Sequence, residues 1–256
     1  KAIKLTYAGG TAKDFSMLFH ESFSSKNQVS KVFFGVDLYS LLSDPDSTRF
    51  EYQKYQTSSN PLYDVEYLLN KDILLKYSMT SLVHSLKYPN EASQLPDDMY
   101  VWDKDDVAYG KDEVMKSYER PEIANSSSDD WYTGIITQNV EMICKYIKDH
   151  PNTEFYLYFP PYSILYWDSC IRKGILDAEF AALNIASSEF LEYDNVKLYA
   201  PIADHQIIEN FDNYKDYTHY STRINRVIFD SFTSDAYRIT KRNYQDAIRS
   251  FYQYVS

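Results

Sequence analysis

Three short segments, far apart in this chain, are almost continuously apolar: Lys31–Asp37 (KVFFGVD), Glu154–Phe159 (EFYLYF) and Val196–Tyr199 (VKLY). Unbroken runs of this length mark strands buried on both faces, as in parallel sheets, whereas strands with one wet face alternate. Helical spacing lies between them. Ile136, Val140, Ile143 and Ile147 precede the second run, and Leu176, Phe180, Leu183 and Phe190 precede the third. Parallel neighbours need a long crossover, usually a helix, so this alternation confines the chain to the α/β class.

The same grammar extends to both ends. Residues 2–8 (AIKLTYA) read as a strand that stops at Gly9-Gly10. Thr11 then caps a helix, with Asp14 three residues on as in a capping box, and Phe15, Leu18, Phe19 and Phe23 share its apolar face. A strand, helix and strand so close together make a βαβ unit. After the third run, Ile224, Val227, Ile228 and Phe232 mark another helix, and 234–255 reads as a last one. The expected fold is a three-layer α/β/α sandwich around a parallel sheet, of flavodoxin-like type, with 1–256 as a single domain. The pattern breaks between Leu41 and Trp131. Region 42–130 is expected to be a large, mostly helical insertion, either a lid or a passive excursion. Its long helix would run over Asp64–Tyr88, with Leu68, Leu75, Leu82 and Leu86 among the apolar positions.

Composition removes several functions. The net charge of −11 argues against nucleic acid, whose phosphates need a basic surface. The acidity is local: residues 91–130 hold 12 acids against 4 bases, as a solvated loop region does. No apolar run approaches the ~18 residues of a membrane span. Cys144 and Cys170 sit in separate apolar segments and read as small buried hydrophobes, with a disulfide between them left open. The 26 tyrosines fall largely at strand and amphipathic positions, which favours a structural role over sugar stacking. No His-x-x-x-His or Cys-x-x-Cys spacing occurs. The Asp103-Lys104-Asp105-Asp106 run departs from a calcium loop, having Ala108 where glycine is needed and Val114 where glutamate is needed. Neither metal nor cofactor is implied.

Chemistry concentrates near the C-terminal end, in Asp212-Asn213-Tyr214-Lys215-Asp216-Tyr217-Thr218-His219-Tyr220-Ser221. A carboxylate three residues before a histidine can hold one ring nitrogen and leave the other as a base. Asp216 and His219 are therefore two thirds of a serine-hydrolase triad. His20, His84 and His150 lie on helices or helix ends, and His205 directly follows Asp204, from which its side chain diverges. Sites of open parallel sheets lie beyond the C-terminal strand ends. There the topology would gather Gly9-Gly10-Thr11, Asp37–Tyr39, Pro160–Ser163 and Asp216–His219. A glycine turn before a helix can also present N–H groups to an oxyanion.

In order, these segments resemble the SGNH (GDSL-like) hydrolase superfamily, and more narrowly the bacterial membrane-anchored SGNH-like proteins that accompany membrane-bound O-acyltransferases. The D-alanine-transfer protein of lipoteichoic acid synthesis is a relative of that group. The most specific pieces are NYKDYTHYS (213–221) and FPPYS (159–163), with AGGT (8–11) and GVD (35–37) in support. The resemblance implies His219 as general base, Asp216 as its orienter and Gly10 as an oxyanion donor, with Asp37, Tyr162 and Ser163 lining the cleft. Two departures stand out. Asp37 occupies the neighbourhood where the family offers an asparagine, and an ionised carboxylate there repels an oxyanion, so it organises the loop instead. The family's Gly-x-Ser nucleophile turn also has no counterpart before Gly9-Gly10. An upstream serine, ahead of Lys1 and behind a membrane anchor, is expected, with Ser163 as the only substitute inside the chain.

The implied function is hydrolysis or transfer of ester-linked acyl groups on a bacterial cell-envelope polymer, a teichoic acid or polysaccharide, outside the cytoplasm. A membrane-bound O-acyltransferase is the implied partner. The alternatives are a non-catalytic module of the same fold that binds such a glycan or docks on the acyltransferase, and a plain cytosolic esterase.

Overall fold

The computed structural model describes residues 4, 5, 9–24, 28–49, 60, 62, 65, 69, 78–87, 107–124 and 130–256. The chain divides into two compact units, Lys1–Lys4 with Phe50–Lys104, and Leu5–Arg49 with Asp105–Ser256. In the smaller unit the described residues include one helix, Met79–Lys87. Its Leu82 and Leu86, expected as part of an apolar face, are exposed, as are Met79 and Val83. Leu68, Leu75 and the rest of the expected 64–77 helix lie outside the described residues, apart from Val65 and Leu69, as do Asp103–Asp106.

The larger unit is built on a four-stranded sheet in the order β1 (Lys31–Gly35), β2 (Glu154–Tyr158), β3 (Val196–Tyr199) and β4 (Arg238–Ile239). The first three are parallel and align Gly35, Tyr158 and Tyr199 across the sheet, while β4 runs antiparallel to β3. The architecture is thus α/β with a mostly parallel open sheet. The expected strand over 2–8 lies outside the described residues except for Lys4 and Leu5, which take no regular structure.

In chain order the helices of this unit, among the described residues, are α1 (Ala12–Ser24), α2 (Leu38–Leu42), α4 (Lys111–Ser117), α5 (Thr133–Asp149), α6 (Ile164–Arg172), α7 (Leu176–Phe190), α8 (His205–Ile208), α9 (Thr222–Ser234) and α10 (Tyr244–Val255), with α3 being Met79–Lys87 of the smaller unit. The α1 start is the expected capping box. Asp14 accepts the Thr11 N–H at 2.7 Å, and the Thr11 hydroxyl accepts the Asp14 N–H at 3.3 Å. In α5, Ile136, Asn139, Val140, Ile143, Cys144 and Ile147 are buried, a stripe three and four residues apart. Its last carbonyls are closed by a distant side chain: Asn195 Nδ2 donates to Ile147, His150 and Thr153 oxygens at 3.1–3.2 Å.

The two faces of the sheet differ in chemistry. Phe34, Phe155, Leu157, Val196 and Leu198 join the main core with α1, α5, α7 and α10. On the opposite face Phe33, Tyr156, Tyr158 and Tyr199 surround Phe232 of α9, with ring centroids 4.9–6.0 Å apart. Register explains the sorting, because residues two apart on a strand share a face. Gly35 is the one small residue in that aromatic row. A Cβ there would stand 3.0 Å from both Cζ and the hydroxyl of Tyr158.

One expectation needs correction. The segment 234–255 is not a single helix. Asp235 and Tyr237 take left-handed backbone (φ 57° and 63°), which ends α9 and turns the chain into β4. Aspartate tolerates that conformation better than most residues, so no glycine announced the break. Thr240 and Asn243 then open α10, with Asn243 Oδ1 accepting the Thr240 N–H at 2.7 Å.

Gly35→Ala should destabilise the larger unit by roughly 1–3 kcal/mol, the usual cost of overpacking. Urea denaturation followed by circular dichroism measures it. An unchanged midpoint would show that Tyr158 swings aside freely.

Candidate functional site

The candidate histidine sits at the tip of a small hairpin. Tyr214 and Tyr220 form an antiparallel bridge. Ser221 N donates to Asn213 O at 2.7 Å and Lys215 N to His219 O at 3.1 Å, closing the ladder around Asp216–His219. Asp216 shapes the tip, because its Oδ1 accepts the Thr218 and His219 N–H groups at 2.9 and 2.8 Å, an Asx-type turn. The same carboxylate meets His219 Nδ1 at 2.8–2.9 Å. Burial works against the charge on Asp216, but the hydrogen bonds from His219 and Thr218 outweigh it and hold the carboxyl well below its usual range. Among the described residues only Asp216 and Thr218 hydrogen-bond the imidazole, both at Nδ1. The His219 side chain is 64% exposed. An imidazole gripped at Nδ1 and open at Nε2 is arranged to move a proton at Nε2.

The hairpin is clasped to the end of β2. Ser163, wholly buried, donates its hydroxyl to Tyr217 O at 2.6 Å, and the Tyr214 hydroxyl donates to Pro161 O at 2.7 Å. Ser163 stands at the N-terminal cap of α6, yet its hydroxyl is spent on the hairpin rather than on the helix. Buried and already donating, it is a structural tie and no candidate nucleophile.

Asp37, Tyr162 and the hairpin meet beyond the C-terminal ends of β1 and β2. Asp37 caps α2, its Oδ1 accepting the Tyr39 N–H at 2.9 Å. Burial raises the pKa of its carboxyl, while the Tyr39 N–H lowers it. The Tyr162 hydroxyl is buried and makes no hydrogen bond. Three of the four segments expected at the strand ends thus come together. The fourth, Gly9-Gly10-Thr11, is tied to the 44–49 loop, with Thr11 Oγ1 donating to Ser47 O at 2.8 Å and Arg49 N to Asp14 Oδ2 at 2.9 Å. The Thr11 N–H at that helix start is already taken by the Asp14 carboxylate, which competes with any external anion.

Behind Tyr162 lies a carboxyl that spacing made visible but that the search for chemistry passed over. Glu179 is 2% exposed on α7, three residues after Leu176 and four before Leu183, squarely on the apolar stripe. Its Oε1 accepts the Tyr166 hydroxyl at 2.7 Å, while Oε2 is buried without a partner. Burial pushes its pKa up to about 7; Tyr166 opposes the shift and the Asp37 charge adds to it.

A strap from the 107–124 segment borders the hairpin. Gly110 N donates to Tyr214 O at 3.0 Å, and the Tyr118 and Tyr217 rings lie 5.3 Å apart. Asp168 of α6 anchors the strap, accepting the Tyr118 hydroxyl at 2.6 Å and a two-pronged Arg120 guanidinium at 2.7 and 2.9 Å. Residues so distant in sequence gave no local signal of this clamp.

Elsewhere, His150 stacks on Phe23 and His205 on Tyr254, at 3.8 and 3.4 Å between centroids. Cys144 and Cys170 are separate free thiols, both buried, which pushes the Cys144 thiol up to about 12. Among the described residues no group of three or more His, Cys, Asp or Glu side chains is placed to hold a metal, and no helix is long and apolar enough to cross a membrane. Comparison of the chain with protein-family profiles, curated proteins and solved structures gives no match.

Glu179 makes stability depend on pH. Its folded pKa of about 7 exceeds the ordinary 4.5, so its contribution is complete below the ordinary value and is lost as pH rises through neutrality. Glu179→Gln should remove that slope. Relative to the parent, the variant should gain up to about 3 kcal/mol of stability between pH 4 and pH 8, as read by urea denaturation across that range. A parallel pair of stability profiles would contradict the assignment.

Proposed function

We propose that this chain carries the histidine–aspartate part of an SGNH-type acyl-ester site. Its α/β fold is read as a three-layer sandwich, with α1, α5, α7 and α10 on one face and α9 on the other. The observation that carries the reading is the exposed His219 held at Nδ1 by Asp216. In this mechanism His219 Nε2 takes the proton of a serine hydroxyl contributed by sequence outside residues 1–256. The serine attacks an ester or thioester carbonyl, and a backbone N–H steadies the oxyanion. His219 returns its proton to the leaving group, and water or an acceptor hydroxyl then releases the acyl group. The proposed substrate is an ester-acylated teichoic acid or polysaccharide of a bacterial envelope. The proposed location is extracytoplasmic and membrane-anchored, beside a membrane-bound O-acyltransferase. The net charge of −11 weighs against a nucleic-acid substrate.

A second reading has its own observation. Among the described residues, no hydroxyl or thiol hydrogen-bonds His219 except Thr218, which is on the Nδ1 side. On that reading the chain is a binding module of the same fold for the acylated polymer or the acyltransferase.

The deciding experiment compares the full-length gene product with its His219→Ala variant on aryl acetate esters and on acylated envelope polymer. Loss of turnover by roughly 10³-fold or more, with circular dichroism unchanged, is expected of the enzyme. Equal turnover in both proteins would refute the catalytic role of His219, and binding of polymer without turnover in the parent would favour the module.

A further inference from the structure

The residue inside the Asp216–His219 turn is gripped twice, and both grips lead back to one helix. Tyr217 follows the acid and precedes the histidine by two positions. Its carbonyl accepts the Ser163 hydroxyl at 2.6 Å, from the N-terminal cap of α6. Its ring meets the Tyr118 ring with centroids 5.3 Å apart and planes at 59°. The Tyr118 hydroxyl in turn donates to Asp168 Oδ2 at 2.6 Å, midway along α6. Ser163, Tyr217, Tyr118 and Asp168 therefore close a circuit through α6, although its cross-links join residues 50 or more positions apart. The strap is pinned along the same helix. Asp168 and Arg172 stand four residues apart, on one face of α6. Asp168, with its side chain 26% exposed, takes the two-pronged Arg120 guanidinium as well as Tyr118. Arg172 Nε donates to the Pro121 carbonyl, and the Arg172 carbonyl accepts the Ala124 N–H at 2.7 Å. Trp167 and Cys170 meanwhile root α6 in the core. An exposed ion pair contributes little alone, but a forked guanidinium sharing a carboxylate with a tyrosine is the arrangement that holds its geometry. The Arg120 and Tyr118 hydrogen bonds keep the Asp168 carboxyl below its ordinary range, so the latch is charged at neutral pH.

We propose that Asp168 is a positioning residue for His219: it holds the Tyr118 ring against Tyr217 and so fixes the turn in which Asp216 grips the imidazole. The proposal rests on His219 being the working base of the site. The His219 side chain is 64% exposed, so the orientation of its turn has to come from what holds the hairpin. Ser163 restrains the Tyr217 carbonyl, and that single bond leaves rotation about itself. The Tyr118 ring restrains the same residue at a second point and removes that freedom. Gly110 N, at the near end of the strap, adds a third tie to the hairpin through Tyr214 O at 3.0 Å. A base must be held close to its productive geometry to work, which gives the latch its use.

The test reads amide hydrogen exchange by NMR in the full-length gene product, at the Lys215, Thr218 and His219 N–H groups that close the turn. Asp168→Ala should speed their exchange by roughly tenfold while the N–H groups of β2 and β3 keep their parent rates. Tyr118→Leu, which removes the ring from Tyr217, should do the same. The double variant should be no faster than either single one, because both changes break one path. Tyr118→Phe keeps the ring and leaves Asp168 to Arg120, so its effect should be smaller and in the same direction. Unchanged exchange at the turn in both Asp168→Ala and Tyr118→Leu would overturn the proposal, as would additive effects in the double variant. Equal acceleration at the turn and in β2 and β3 would also overturn it, making the latch a general prop of the fold. On aryl acetates, Asp168→Ala should lower kcat by roughly tenfold with KM little changed, because the base is misplaced rather than lost. Retained turnover in His219→Ala would refute the catalytic reading and the kcat arm with it, whereas the exchange rates alone decide whether the latch orders the turn.

Discussion

The site depends on a clasp of two hydrogen bonds, the buried Tyr214 Oη to Pro161 O and the part-buried Ser163 Oγ to Tyr217 O. Prolines 160 and 161 lack N–H groups, so the chain leaving β2 cannot continue the ladder and must find other partners for its carbonyls. The hairpin supplies one of them, and the loop's serine repays a hairpin carbonyl in turn. Removing the Tyr214 bond would strand a buried acceptor, at a cost of about 1–3 kcal/mol. Because Tyr214 also gives its backbone carbonyl to Gly110, the clasp ties the strap, the hairpin and the end of β2 together at a wholly buried tyrosine.

Environment then divides the carboxyl groups by role. Asp216 is half-buried but receives hydrogen bonds from an imidazole, a hydroxyl and two backbone N–H groups, and stays ionised. Glu179 receives one hydroxyl in an apolar interior and is pushed toward neutrality. Burial also raises the pKa of Asp37, against the Tyr39 N–H. Pairs of acids driven apart in this way are a recurrent means of fixing which group carries a proton. Tyrosine is the usual neighbour: Tyr118, Tyr166, Tyr237 and Tyr252 each donate to a carboxylate, at 2.6–3.0 Å. The high tyrosine content thus has a physical use here, since the ring fills apolar space while its hydroxyl reaches an acid.

The parts legible in sequence were those governed by spacing. Val196–Tyr199 is a strand as read, and the Leu176 and Ile136 series are helices, because burial on one side imposes its period on the chain. Thr11 and Asp14 cap each other because the motif is complete within four residues. The Asp216–His219 contact is legible for the same reason. Glu179 was also visible as an acid on an apolar stripe, had polarity within a core face been taken as a signal. The segment 234–255 misled because Asp235 and Tyr237 adopt left-handed backbone with no glycine to mark it. Ser163 was legible only as a serine beside a strand end, which looks the same in sequence whether its hydroxyl is offered or spent on the hairpin.

By itself, the sequence determined the α/β class, most of the described helices and strands, and the local pairing of an acid with a histidine. These follow from periodicity and short-range hydrogen bonding, which act over a few residues. Only the tertiary structure decided that the hairpin is clasped to the end of β2, that Arg120 and Tyr118 close on Asp168, and that Ser163 is locked away. Those contacts join residues 48–54 positions apart, so they exist only once the strands have registered and their loops have been brought to the same end of the sheet.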